Sequence, residues 1–419
     1  MKPMLGVIAE GEAGLAIAVG FASRGYKVIC LETSSERRKA LLEGNLPTTE
    51  EGLLLGWKQM IQDGLLTVTG ELFHLAELSF VFICVETGAD KLWQVVETSA
   101  PYLRDGAALI IKNTVLVGTG DEMQQWLTNR GYSIEVISSP VFLRQGSALS
   151  DFLQPSRIVL GGEDHHRSLH SLRRLIASDK LPVIVTSRRN AELIKYAETA
   201  YFATKASFAN QLAQLCEGFG TDVDTVTRAI GLDPRIGQGF MGAGMGFTEP
   251  SFLQDVQALI IQAAEHNVET PLFHSIQKVN EKQQKWMINQ LGERLAPLAG
   301  RTIAVWGIHP YTAIPTITQL LREGMNLRLY DPFRVRELKQ LERWGHDSEP
   351  LCFCDSPWET LEGADALTIM AEQQEFRELD LSRLKKMMRD PLVIDGWNLY
   401  PTALMKGLGF KYVSVGRKI

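Results

Sequence analysis

The sequence predicts an α/β fold, with two doubly wound, mostly parallel sheets joined by a helical segment. Three observations carry that prediction. Short β-branched runs alternate with helical stretches from the start, and a glycine-containing turn follows the first run. The same order of strand, turn, helix and strand returns at "GRTIAVWGIHPYTAIPTITQLLREGMNLRLYDP". Such alternation argues for parallel strands covered on both faces by helices.

In chain order, "LGVIA", "KVICLE", "SFVFICV", "AALIIKN", "IEVISS", "RIVLGG" and "PVIVT" read as buried strands with helical stretches between most of them. From Ser187 to Leu295 the pattern is almost wholly helical, interrupted at "GLDPRIGQGFMGAGMGF". The second α/β segment places Gly307 in its turn and Asp331 at the end of its second strand, and "GADALTIM", "PLVIDGWN" and "FKYVSVG" supply later strands. At 419 residues the chain exceeds one ordinary core. The divisions fall at residues 1–186, 187–296 and 297–419, with no low-complexity linker.

An apolar fraction of 45% with 22% charged residues is that of a soluble globular protein. A net charge of −6 gives no electrostatic reason to expect nucleic acid or an anionic membrane. The five cysteines lack zinc-type spacing, so no metal is expected and a reduced, cytoplasmic compartment is the simpler reading. Cys352 and Cys354 alternate as two side chains on one face of a strand do. Glu10 and Glu12 interrupt any signal-peptide core, and no apolar run approaches a membrane span.

The opening stretch "GVIAEGEAGLAIAVGFASRGYKVICLET" has the form of a dinucleotide-binding, Rossmann-like loop. There the glycines serve a tight turn, close approach to a pyrophosphate, and helix–strand packing. Ala9 takes the first position, Gly11 and Gly14 the second and third. Glu32 ends the second strand, where an acid accepts hydrogen bonds from a ribose 2′-hydroxyl and repels a 2′-phosphate, selecting NAD over NADP. Against this, Arg37 or Arg38 in "SSERRK" can fold back toward such a phosphate. Glu10 and Glu12 oppose the pyrophosphate, at about 1 kcal/mol or more for a nearby carboxylate. Two readings stand: retained dinucleotide binding, or glycines kept for packing alone.

Four longer stretches are more specific: "SSPVFLRQGSALSDFLQPSRIVLGG", "AELIKYAETAYFATK", "LCEGFGTDVDTVTRAIGLDPRIG" and "GADALTIMAEQQEFRELDLSRLK". Together they resemble the UDP-glucose/GDP-mannose dehydrogenase family, in order and over essentially the whole chain. The resemblance implies an N-terminal NAD-binding domain, a central helical dimerisation segment giving a homodimer, and a C-terminal Rossmann-like domain for a nucleotide sugar. Its members oxidise a sugar alcohol to a carboxylate in two hydride transfers to NAD, trapping the aldehyde on a cysteine.

The second oxidation needs a thiolate, because it passes through a thiohemiacetal and a thioester. In "GFTEPSFLQDVQAL" the resemblance puts Ser251 at the cysteine position, with Glu249 and Pro250 beside it. A serine hydroxyl is hardly ionised at neutral pH, and Pro250 removes a backbone N–H. Lys195 matches a family lysine, while Thr199, one helical turn on, stands for an asparagine of the oxyanion site. Asp255 matches an aspartate beside the same water, and Thr114 a threonine near nicotinamide and substrate. A structural ion pair is an equal reading of Lys195 and Asp255. Val141 replaces the acid linked to thioester hydrolysis and cannot move a proton. Phe142, Leu143 and Arg144 lie in the matching substrate stretch, where Gln145 replaces an acid. Arg235 either reaches a sugar site across a dimer interface or belongs to the scaffold, and His309 reads as a loop residue.

The nucleotide-sugar contacts are also thinned. The long loop after the strand of the second Rossmann domain is largely missing from "WGIHPYTAIPTITQLL", and the family's Asp-Gly-Arg is Asp395-Gly396-Trp397. The expectation is a family member inactive in the four-electron reaction, acting as a binding or regulatory paralogue. The alternatives are an active dehydrogenase of altered chemistry that stops at the aldehyde, and a conventional one using other residues.

Overall fold

The computed structural model describes residues 2–417 apart from 86–88, 145, 164–166, 178–180, 248–249, 309–312 and 333–349. The chain divides into two compact units, residues 1–198 and 199–419.

The first unit holds an eight-stranded sheet in the order β3-β2-β1-β4-β5-β6-β7-β8. Its strands are β1 (Leu5–Ala9), β2 (Val28–Leu31), β3 (Leu66–Thr69), β4 (Phe80–Cys84), β5 (Ala108–Ile111), β6 (Glu135–Ser138), β7 (Ile158–Gly161) and β8 (Val183–Thr186). All neighbours are parallel except β6 and β7, which meet antiparallel at Ser138 and Gly161. β1 lies centrally between β2 and β4, paired Val7 to Cys30 and to Phe82. Order reverses across β1 and β4, and a doubly wound sheet binds ligands at such a switch point, beyond the carboxyl ends of its strands. Two apolar clusters cover the two faces. One is built around Leu15, Val19, Trp57 and Phe82, the other around Leu75, Ile83, Leu109 and Val136. Every strand run read from the sequence in this unit is present. The structure adds β3, whose "LTVT" is too exposed to stand out.

The second unit carries a six-stranded parallel sheet in the order β11-β10-β9-β12-β13-β14. These are β9 (Thr302–Trp306), β10 (Asn326–Tyr330), β11 (Leu351–Phe353), β12 (Ala366–Ile369), β13 (Leu392–Asp395) and β14 (Lys411–Ser414). The helices Val223–Gly231, Pro250–Glu265, Pro271–Gln284 and Trp286–Leu295 belong to the same unit, as does most of the long helix Arg188–Phe219. Met287 and Leu291 share one cluster with Val305, Leu327 and Ile394. Among the described residues no helix is long and apolar enough to cross a membrane.

Candidate functional site

The cofactor cradle is built where β1 meets helix α1 (Gly11–Ser23). Gly11 has φ +69, in the left-handed region that favours glycine. A Cβ on Gly14 would lie 2.8 Å from the Ala9 Cβ and 3.0 Å from the Cys84 carbonyl oxygen, so only glycine brings α1 this close to the strands. Ala9 is buried. The first-turn amides of α1 thus open at the switch point, where a helix N-terminus favours phosphate.

Glu10 is paired with cations, and Glu12 accepts hydrogen bonds from neutral donors. Arg37 Nη2 donates to Glu10 Oε1 at 2.6 Å, and Lys91 pairs with the other oxygen of Glu10. Glu12 Oε1 accepts from Thr48 Oγ1 at 3.1 Å and from the Gly146 amide at 2.9 Å, tying the loop to the segment after Leu143. The repulsion expected from Glu10 is therefore largely offset by cations remote in sequence, whereas the donors to Glu12 carry no charge. Glu32 is buried at the end of β2. Its Oε1 accepts from the Ser34 amide at 2.7 Å, and Arg37 Nε donates to its Oε2 at 3.0 Å. These residues fit a dinucleotide: a glycine cradle, amides for the pyrophosphate, and an acid at the ribose position.

At the carboxyl ends of β4 to β6 the structure gathers "KNTV" and "SSPVFLR". Asn113 joins two loops, donating to the Val85 carbonyl at 2.7 Å and accepting the Val85 amide at 3.2 Å. Thr114 is exposed beside it. Lys112 donates to Ser139 Oγ at 2.9 Å, and burial pushes its pKa down to about 8. Val141 packs against the hydrophobic cluster of β1 and α1, as does Leu143. The Phe142 ring lies 4.2 Å from the Arg157 guanidinium and 5.5 Å from the Lys195 ammonium. Arg144 is held by Asp151 through two hydrogen bonds of 3.0 and 2.6 Å. Reading the sequence missed Lys112, Asn113 and Arg157; the signal was their nearness to matched residues, Lys112 being two before Thr114. Gln145 lies outside the described residues.

In the second unit Ser251 is exposed in the first turn of the helix that begins at Pro250, and Asp255 is buried one turn on. Thr199 is buried in the long helix, one turn beyond Lys195. The glycine-rich loop before Ser251 is held by buried amide side chains: the Asn210 carbonyl accepts the Gly244 amide at 2.9 Å, that of Asn280 accepts the Phe247 amide at 3.0 Å, and Gln283 donates to the Gly244 carbonyl at 2.7 Å. Phe252 joins Phe202, Phe240 and Phe247, with ring centres 6.2, 5.9 and 6.1 Å away. Arg235 is exposed and pairs with Asp233 at 2.6 Å. Asp331, at the end of β10, accepts the Ile308 amide of the turn after β9 at 2.7 Å. His309 and Glu249 lie outside the described residues. Among those described, no group of three or more His, Cys, Asp or Glu can hold a metal ion.

Comparison with known proteins resolves the family. Residues 4–178 match the NAD binding domain of the UDP-glucose/GDP-mannose dehydrogenase family, 189–282 its central domain and 312–402 its UDP binding domain. The chain belongs to this family. The UDP-glucose 6-dehydrogenase of Pseudomonas aeruginosa is 34% identical, covering 98% of this chain and 97% of that protein. UDP-glucose 6-dehydrogenase TuaD of Bacillus subtilis is 32% identical, over 99% of this chain and 93% of that protein. A solved UDP-glucose dehydrogenase from Pyrobaculum islandicum superposes with a TM-score of 0.86 at 26% identity, covering 99% of this chain and 97% of that one. Membership makes NAD the cofactor of the first unit, which the cradle of Gly11, Gly14 and Glu32 fits. When bound, NAD would supply a hydride acceptor, and Gly11, Gly14 and Glu32 are the residues that would hold it.

Proposed function

We propose that this family member binds NAD but does not carry out the four-electron oxidation of a nucleotide sugar to a uronate, and works as a binding or regulatory paralogue. The observation that carries the reading is the pair of side chains at the positions used by the second oxidation. Ser251 offers a hydroxyl where a thiolate is required, and Val141 is a partly buried apolar side chain packed against the core. Thr199 in place of an oxyanion asparagine, and Trp397 in place of a nucleotide arginine, support it further. In the same reading the chain keeps a three-part division at 186/187 and 296/297, works in the cytoplasm, and keeps its five cysteines free.

A second reading is an NAD-dependent dehydrogenase that stops at the aldehyde. It is favoured by the 34% identity to a UDP-glucose 6-dehydrogenase across 98% of the chain, and by Lys195 and Thr114, since hydride transfer alone needs no thiol. The test is an NADH absorbance assay with UDP-glucose, UDP-N-acetylated sugars and GDP-mannose on wild type and Ser251→Cys. The expected result is less than about one equivalent of NADH per chain from both, because nucleotide binding must precede chemistry. Steady NADH formation by wild type overturns the first reading; an aldehyde product then supports the second, and a uronate supports an ordinary dehydrogenase.

The chain is also proposed to form a homodimer through the central helices. Tyr201, Phe208 and Leu215 recur every seven residues on the long helix, 58%, 49% and 44% exposed, and Phe219 and Leu232 extend the apolar surface. Such a stripe marks an interface. Sedimentation at micromolar concentration is expected to show twice the chain mass, shifting to the monomer on Phe208→Glu. A monomeric wild type counts against it.

A further inference from the structure

The short segment from Gly146 to Leu153 is seated along α1. At the far end of that helix Phe152 meets Phe21 with ring centres 5.1 Å apart, and Arg24 Nη2 donates to the Phe152 and Leu153 carbonyls at 3.2 Å each. A Cβ on Gly20 would collide with the same ring, so helix and segment pack without a gap. At the near end the link is a single oxygen. Glu12 stands in the first turn of α1, the turn whose amides face the pyrophosphate position. Its Oε1 accepts both the Thr48 hydroxyl at 3.1 Å and the Gly146 amide at 2.9 Å, and both donors are neutral. Thr48 Oγ1 accepts the Glu50 amide at 3.0 Å in turn, and the Glu50 carboxylate accepts the Leu149 and Ser150 amides at 3.1 and 3.4 Å. Asp151 closes the segment onto Arg144, accepting its amide at 2.8 Å and its guanidinium at 2.6 Å.

We propose that Glu12 is a positioning residue which, once NAD fills the cradle, fixes the segment from Gly146 to Asp151. A carboxylate in this turn has two kinds of rotamer, one held on Thr48 and Gly146 and others that leave them and swing toward the cradle. Repulsion between a carboxylate and a phosphate a few ångströms apart shifts such an equilibrium about fivefold. An occupied cradle therefore disfavours the rotamers that approach the phosphates and favours the one held by its two donors. The Gly146 amide is then released less often, and through Asp151 the added order reaches Arg144 in the substrate stretch. This inference rests on NAD as the cofactor of the first unit and extends it to the segment behind Arg144.

The test is hydrogen exchange of the full chain, read by mass spectrometry on peptides spanning Gly146 to Asp151, with and without saturating NAD. It is run on wild type, Glu12→Gln and Glu12→Ala, each checked for an unchanged melting temperature and for NAD binding by calorimetric titration. In wild type NAD is expected to slow exchange in this segment about fivefold. Both hydrogen bonds converge on one oxygen, so the amide oxygen of Glu12→Gln accepts them too, without the charge. That variant is expected to keep the wild-type exchange rate in the absence of NAD and to lose the slowing on its addition. Glu12→Ala is expected to exchange faster than wild type without NAD and to show no slowing with it. Wild type that binds NAD with no change in this segment overturns the proposal. So does full slowing in Glu12→Gln, which would leave Glu12 a purely structural tie, or in Glu12→Ala, which would leave it no part at all. Failure of wild type to bind NAD overturns the cofactor assignment, and the inference with it.

Discussion

Gly14→Val is expected to abolish measurable NAD binding, a loss of more than about a hundredfold, and to lower the stability of the first unit. The reason lies in what surrounds the missing side chain. An added Cβ would sit 2.8 Å from the Ala9 Cβ, 2.9 Å from the Ala9 Cα and 3.0 Å from the Cys84 carbonyl oxygen. These neighbours belong to β1 and to the end of β4, central strands that cannot step aside as the tip of a flexible side chain can. Helix α1 must move instead, and it is buried from Gly14 through Ala22. Overpacking of this kind costs about 1–3 kcal/mol, with a β-branched residue at the upper end. Moving α1 also carries its first-turn amides away from the pyrophosphate position, so affinity falls further than stability. Calorimetric titration with NAD and a thermal melt measure the two separately. Wild-type affinity in a folded Gly14→Val protein would show that the third glycine serves packing alone.

The strands were legible because each buried run is short, β-branched and bounded by turn residues, a pattern set by local chemistry. β3 escaped because Thr67 faces solvent and only Leu66 is fully buried, so period and burial gave no contrast. Around the candidate site the pairings were not legible. Glu10 and Glu12 read as a repulsive pair, yet Glu12 meets Gly146, 134 residues on, and no local rule anticipates such a partner. Arg144 read as part of the substrate stretch, and its pairing with Asp151, seven residues on, went unread. That pair holds the Asp151 carboxyl below the ordinary value, through the Arg144 hydrogen bond first. Arg235 and Asp233, two residues apart, could have been paired from the sequence. The amide side chains of Asn210, Asn280 and Gln283 fasten the glycine-rich loop from helices that read as plain amphipathic segments. Their role emerges only when the backbone of Gly244 and Phe247 arrives beside them.

Asp395 shows how a functional motif and a structural one overlap. It was read as part of a damaged nucleotide contact, and in the structure its carboxylate organises the turn that follows β13. Oδ1 accepts the Trp397 amide at 2.9 Å, while Oδ2 accepts the Leu399 amide at 2.6 Å, the Tyr400 amide at 3.3 Å and the Tyr412 hydroxyl at 2.6 Å. Asp395→Ala is therefore expected to destabilise the second unit by about 3–5 kcal/mol, since each buried donor left unsatisfied costs about 1–3 kcal/mol. The Tyr412 hydroxyl also reaches the Tyr400 carbonyl at 3.0 Å and can re-pair, so the three backbone amides carry most of the loss. Burial raises the Asp395 carboxyl above its ordinary value, against the opposing pull of its four donors. A raised carboxyl binds its proton more tightly folded than unfolded, so its contribution is fully present in acid and declines as pH rises through the folded value. Asp395→Asn removes that titration, and the stability of wild type relative to it should fall from pH 4 toward neutrality. Urea unfolding across that range reads both effects. An alanine variant as stable as wild type would mean that water or a shifted turn satisfies the amides, and that Asp395 is free for a ligand after all.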